Sequence, residues 1–189
     1  MQTFLISLST VAVAEMGDRT QLLSLMLAAR FRRPWPILAG ILCATLANHG
    51  AAAFIGHRLG HMLTPRLLDA AVGVSMIAMA LWTLRPDALD ETSPGATRRG
   101  AFLTTLISFF IAEIGDKTQV ATIALAAAYP SLLAVVAGTT TGMMLANAPA
   151  VLFGNAFAAR LPLKPIRYFA SALFLALGVF FLARTLPVA

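Results

Sequence analysis

Long apolar runs, each close to the length that crosses a lipid bilayer, alternate along the chain with short segments carrying Arg or Pro. A helix needs about 20 mostly apolar residues to traverse a hydrocarbon core about 30 Å thick. Six stretches meet that need: Phe4–Ala29, Pro36–Ile55, Leu67–Leu84, Ala101–Ala128, Ser131–Ala159 and Tyr168–Ala183. The second and fifth carry no charged residue, whereas the third and sixth are short. Between them lie Arg30-Phe31-Arg32-Arg33-Pro34, the stretch from Arg58 to Arg66, Tyr129-Pro130, and the stretch from Arg160 to Arg167. The stretch from Arg85 to Gly100 is the one polar linker of any length. The pattern predicts an all-α membrane protein of six transmembrane helices, with no soluble domain.

Composition agrees. Of 189 residues 59% are hydrophobic and 12% charged, against about 25% charged in an ordinary soluble domain. One cysteine, Cys43, excludes an internal disulfide and any multi-cysteine metal site, and five residues before Asn48 it reads as packing. The net charge of +6 does not point to nucleic acid, because the basic residues lie between apolar runs rather than along one polar face. The run Phe4–Val13 with the small residues Ala12-Val13-Ala14 imitates a signal peptide. No Lys or Arg precedes it, and the acidic segment that follows recurs deep in the chain. A retained first helix is therefore expected.

That recurrence organises the molecule. Ala14-Glu15-Met16-Gly17-Asp18-Arg19-Thr20-Gln21 reappears 98 residues later as Ala112-Glu113-Ile114-Gly115-Asp116-Lys117-Thr118-Gln119. Leu46-Ala47-Asn48 matches Leu145-Ala146-Asn147 at nearly the same offset, and Gly56 falls opposite Gly154. The expected units are a first three-helix repeat over 1–85, a linker over 86–100 and a second three-helix repeat over 101–189. An odd number of spans per repeat inverts one half against the other, as in many secondary transporters. Loops one, three and five carry nine Lys or Arg and the opposite face three (Arg58, Arg66, Arg184). The positive-inside rule makes the nine-charge side cytoplasmic, with the central loop inside and both termini outside.

The repeated motifs put carboxylates where lipid penalises them. Each charged side chain at the bilayer centre costs about 2.5–3.5 kcal/mol, so Glu15, Asp18, Glu113 and Asp116 together cost on the order of 10 kcal/mol unless compensated or used. Glu15 and Asp18 stand i,i+3 on a helix and so are expected to be neighbours on one face, as are Glu113 and Asp116. Arg19 and Lys117, four residues after each Glu, are placed for intrahelical ion pairs. Two negatives and one positive per motif still leave a net −2 at the repeat interface. That charge suits one divalent cation or two protons, the electrostatics of a cation–proton exchanger.

Carboxylates, the hydroxyls of Thr20 and Thr118, and the amides of Gln21, Gln119, Asn48 and Asn147 are hard oxygen donors, suited to Ca²⁺, Mn²⁺ or Mg²⁺. His49, beside Asn48, is either a packing residue or a proton carrier or nitrogen ligand favouring Mn²⁺. His57 and His61 sit at a span end. Gly17 and Gly115 mark either a local unwinding that exposes carbonyls or a close helix contact. Gly138-x-x-x-Gly142 has the spacing of tight membrane-helix packing, within the bundle rather than at a dimer seam.

Twin Glu-x-Gly-Asp-(Arg/Lys)-Thr motifs in a six-span chain resemble a calcium and manganese cation–proton exchanger family. The family was once catalogued as uncharacterised membrane proteins and has Golgi members and bacterial manganese exporters. The likeness covers essentially the whole chain, and the absence of a targeting extension resembles the compact bacterial form. It implies a bacterial inner-membrane transporter, not an enzyme. Such a protein exports Mn²⁺ or Ca²⁺ from the cytosol against protons by alternating access and needs no cofactor. By position, Glu15, Asp18, Glu113 and Asp116 are the expected cation and proton sites, with Arg19, Thr20, Gln21, Asn48, Lys117, Thr118, Gln119 and Asn147 in support. The alternative is a six-helix exporter of an amino acid or organic cation, which calls for an aromatic or amphipathic lining rather than the aliphatic Leu22, Leu23 and Val120 found beside the motifs.

Overall fold

A computed structural model describes residues 1–84, 100–154 and 163–186. Among them are eight helices and no strand: α1 (Gln2–Glu15), α2 (Arg19–Phe31), α3 (Pro34–Met62), α4 (Pro65–Thr83), α5 (Ala101–Glu113), α6 (Lys117–Ala128), α7 (Leu132–Phe153) and α8 (Leu163–Ala183). The linker expected over 86–100 lies, apart from Gly100, outside the described residues, as does 155–162.

Three helices, α3, α4 and α7, are long and apolar enough to cross a membrane, and Gln2–Glu15, Ala101–Glu113 and Tyr168–Ala183 are shorter apolar helices. The second expected span is longer than its apolar core. Pro34 and Pro36 supply the preset φ that suits a first turn, and α3 continues past Ile55 to Met62, carrying His57, Arg58 and His61 on its last two turns.

The first and fourth expected spans are each two helices rather than one. The chain leaves helical geometry at Met16 (ψ 116°) and Ile114 (ψ 121°), then passes through Gly17 and Gly115 with φ of 81° and 73°. That left-handed region costs an L-residue with a Cβ about 1–2 kcal/mol, so glycine permits the break, and Asp18 and Asp116 begin the next helices as extended N-cap residues. A Cβ on Gly115 would meet nothing within 4 Å, so the penalty there is conformational alone. Gly115→Ala is expected to lower unfolding stability by about 1–2 kcal/mol, and Gly115→Asn by less. Thermal unfolding in detergent measures the difference.

The halves interlock. α1 packs along α7, which also takes α2, while α3 packs against α5 and α6; α4 lies along α8. Small residues bring the backbones together. A Cβ on Gly138 or Gly142 would sit 2.6 Å from the carbonyl oxygens of Phe4 and Leu8 in α1, so the Gly-x-x-x-Gly pair packs inside the bundle, as its spacing suggests. A second such pair, Gly56 and Gly60, fits against Ile123 and Ala127 of α6. Gly154 ends α7 with φ 59°, and a Cβ there would meet nothing within 4 Å, so its match to Gly56 in sequence is not a match in role.

The distribution of polarity is inside out. Leu46, Phe54, Val74, Leu133, Phe169 and Val179 are exposed, whereas Glu15, Asp18, Thr20, Glu113, Asp116, Lys117, Thr118 and Asn147 are buried. An apolar exterior around a charged interior suits lipid as solvent rather than water. Cys43 is exposed on this exterior and is not part of the packed interior expected for it.

Candidate cation site

The two breaks face each other, and their ion pairs cross between the halves. Arg19 Nη2 donates to Asp116 Oδ1 at 3.2 Å, and Lys117 Nζ donates to Asp18 Oδ1. The intrahelical pairs expected of Arg19 with Glu15 and of Lys117 with Glu113 do not form. Each Glu ends one helix and each cation starts the next, so the four-residue spacing no longer stacks them. For the same reason Glu15 and Asp18 do not share a helix face, nor do Glu113 and Asp116. The two cross-pairs are unequal: the Arg19 side chain keeps 31% of its surface exposed, against 3% for Lys117.

Glu15, Asp18 and Asp116, all buried, bring one carboxylate oxygen each to within 4.8 Å of one another. Ligand oxygens at 2.3–2.6 Å from a calcium ion stand at most about 5 Å apart across it, so the trio spans the right distance for one cation. Thr20 Oγ1 donates to Glu15 Oε2 at 2.5 Å and lies 3.5 Å from Asp18 Oδ2; Thr118 Oγ1 donates to Asp116 Oδ2 at 3.2 Å. Asp18 and Asp116 are taken up by the cross-pairs with Lys117 and Arg19, which leaves the two glutamates as the acids of the site beyond those pairs. One oxygen of Glu15 and both of Glu113 are buried without a hydrogen-bond partner. Glu113 instead faces His49, Nε2 to Oε2 3.6 Å, with both side chains fully buried.

The amides do structural work. Gln21 Oε1 accepts from the Gly17 N–H at 2.9 Å, and Gln119 Oε1 from the Gly115 N–H at 2.8 Å, so each Gln closes its own break. Gln21 also donates to the Ala146 carbonyl at 2.8 Å, tying α2 to α7. A helix end leaves its last carbonyls orphaned. At α5 they are met one by one: Asn48 Nδ2 donates to Phe110 O at 3.0 Å and Arg19 Nη2 to Ala112 O at 2.7 Å, while the N–H groups of Ile114 and Asp116 reach Ile111 and Glu113. Asn147, matched to Asn48 in sequence, differs: its Oδ1 accepts from Ser24 at 2.8 Å and its Nδ2 donates back to Met143 O at 3.2 Å. Neither the Ser24–Asn147 bond nor the capping of α5 has a signal in the sequence, because both depend on which helices meet.

Asn48→Leu tests whether this amide caps or ligates. Stranding a part-buried carbonyl costs up to about 1–3 kcal/mol, so the variant is expected to unfold more readily in denaturant titrations. Its KM for a divalent cation stays within about threefold of wild type if the role is capping alone. His57 and His61 do lie together at the end of α3, Nε2 to Nε2 3.2 Å, on the exposed surface.

The chain matches the family described as "Divalent cation/proton antiporter GDT1" over residues 3–91 and 101–187. It is 49% identical over 180 residues to a Vibrio cholerae protein named "Putative manganese exporter", covering 95% of this chain and 90% of that one. A GDT1-like protein of Synechocystis is 27% identical over 194 residues, covering 92% and 93%. GDT1-like protein 3 of Arabidopsis thaliana is 26% identical over 201 residues, covering 92% and 68%. No solved structure matches. With a charged interior set in an apolar exterior and both motif-bearing halves matched, this chain belongs to the GDT1 divalent cation/proton antiporter family, a family of membrane transporters and not of enzymes.

Proposed function

We propose that the protein exports Mn²⁺, and Ca²⁺ where available, from the cytosol in exchange for protons by alternating access. The observation that carries this reading is the convergence of Glu15, Asp18 and Asp116, three buried carboxylates from both halves, within 4.8 Å at two facing helix breaks. Broken helices whose ends point at a shared interior are how transporters bind ions without exposing backbone to lipid. The Vibrio cholerae relative's name points to manganese, and hard oxygen donors fit both ions.

Six spans follow if α1 with α2, and α5 with α6, each cross as one interrupted path. Alone, the 14 residues of α1 rise only about 21 Å. The reciprocal packing, α7 on α1 and α2, α3 on α5 and α6, supports two inverted repeats over 1–85 and 101–189 joined by a linker at 86–100. Loop charge supports a plasma-membrane orientation with the linker in the cytosol and both termini outside.

In the loaded step, Glu15, Asp18 and Asp116 hold the dehydrated cation, and Glu113 adds the fourth carboxylate on the His49 side. On the return step protons take the cation's place, because four acids with two fixed cations keep the chamber short of positive charge. Thr20 and Thr118 orient the carboxylates, Gln21 and Gln119 hold the breaks, and Asn48 and Asn147 fix neighbouring helices. Purified protein in liposomes with an internal pH dye, challenged with Mn²⁺, Ca²⁺, Mg²⁺ and Zn²⁺ in turn, is the test. Cation-dependent proton movement with Mn²⁺ or Ca²⁺ is expected, and a flat response to every cation sinks the reading.

A further inference from the structure

His49 is fully buried, and neither ring nitrogen has a hydrogen-bond partner. Its neighbour Glu113 is as deeply buried, with both oxygens also unpartnered. A buried imidazole that satisfies neither nitrogen loses on the order of 1–3 kcal/mol per group, and packing alone does not repay that. The separation between them, 3.6 Å, is too long for a hydrogen bond. It does suit two donors of one ion: ligands at about 2.0–2.2 Å from a transition metal stand about 3–4 Å apart.

The second half offers no equivalent. The register that sets Asn48 against Asn147 sets His49 against Ala148, so the acid chamber is oxygen-only on the Glu15 side and mixed on the Glu113 side. Glu113 does not join the three-carboxylate cluster, which leaves it free to work with the imidazole at an adjoining position.

We propose that His49 and Glu113 form a nitrogen–oxygen position for the transported cation beside the all-oxygen trio, and that its nitrogen selects manganese over calcium and magnesium. Imidazole is a borderline donor that transition-metal ions accept, whereas Ca²⁺ and Mg²⁺ bind oxygen. The inference rests on the transport reading above and deepens it.

Electron spin echo spectroscopy of Mn²⁺ bound to the purified protein tests the ligand directly, since a coordinated imidazole nitrogen modulates the manganese signal. The background is a His57→Ala, His61→Ala double variant, which removes the exposed surface pair. Nitrogen modulation is expected to persist in that background and to vanish on adding His49→Gln. In liposomes, the ratio of kcat/KM for Mn²⁺ to that for Ca²⁺ is expected to fall about tenfold in His49→Gln. An oxygen-only spectrum in the double variant overturns the proposal without any change at His49, so a poorly folded His49→Gln does not shield it. An unchanged Mn²⁺ to Ca²⁺ ratio in folded His49→Gln overturns it as well. Wild-type protein that moves protons with Mn²⁺ yet gives an oxygen-only spectrum keeps the transport reading and loses this one; protein that moves none loses both.

Discussion

Asp116→Asn is expected to reduce cation-driven proton exchange to the background of empty liposomes, a loss of at least about 100-fold, while the protein stays folded. The amide keeps the shape of the carboxylate but takes one charge from a cluster whose oxygens lie within 4.8 Å. Its ion-pair partner is not stranded by the change, because Arg19 keeps 31% of its side chain exposed and also donates to the Ala112 carbonyl. Asp18→Asn makes a poorer test. It withdraws the carboxylate from Lys117, whose side chain is 3% exposed, and breaking a buried pair costs about 3–5 kcal/mol. Loss of transport in that variant would mix failed binding with failed folding. The measurement is Mn²⁺-dependent response of an internal pH dye in liposomes, with elution from size exclusion in detergent as the check on folding. Normal exchange by Asp116→Asn would count decisively against a site built on these acids.

Gly56→Ala is expected to be the most damaging single-methyl change in the bundle. Its Cβ would lie 2.1 Å from the Ile123 carbonyl oxygen of α6, where both sides of the contact are backbone and neither has a rotamer to change. Relief requires α3 and α6 to separate, and overpacking of this kind costs about 3 kcal/mol or more. Gly50, six residues earlier on the same helix, has nothing within 4 Å of its would-be Cβ. There alanine is expected to be neutral, or to gain up to about 1 kcal/mol from helix propensity. Thermal unfolding of the two variants side by side separates the seam from the helix that carries it. Equal midpoints would mean that α3 and α6 do not touch as described.

The repeated motif announced where the acids are, because five polar or charged residues recurring together inside apolar runs have no other local explanation. It also singled out Gly17 and Gly115, as either a local unwinding or a close helix contact, and the structure shows the first. What it did not reveal is how the backbone uses that unwinding. Read as continuous helices, the motifs put Arg19 over Glu15 and Lys117 over Glu113. A left-handed glycine between them turns the next helix away, and each cation finds the Asp of the other half instead. Sequence spacing speaks only for residues on one regular element, so pairs that cross 97 or 99 positions are invisible to it. The amides show the same limit. Gln21, Gln119 and Asn48 read as oxygen donors near a cation, and the structure occupies them with glycine N–H groups and a helix end. His49 was legible as an odd residue in an uncharged span, but not its neighbour, since Glu113 sits 64 residues away in the chain.

The glycine seams bear on how such a bundle can move. Where α3 meets α6, and α1 meets α7, main chain touches main chain with no intervening layer of side chains to reshuffle. A Cβ at Gly56, Gly138 or Gly142 would fall within 2.6 Å of a carbonyl oxygen across the seam, a closeness that favours each pair moving as a single girder made of one strut from either half. Within that frame the two non-helical elbows at Met16-Gly17 and Ile114-Gly115 join helices that pack on one shared partner, α1 and α2 on α7, α5 and α6 on α3. Bending at either elbow would shift Glu15 against Asp18, or Glu113 against Asp116, and so reshape the acidic chamber.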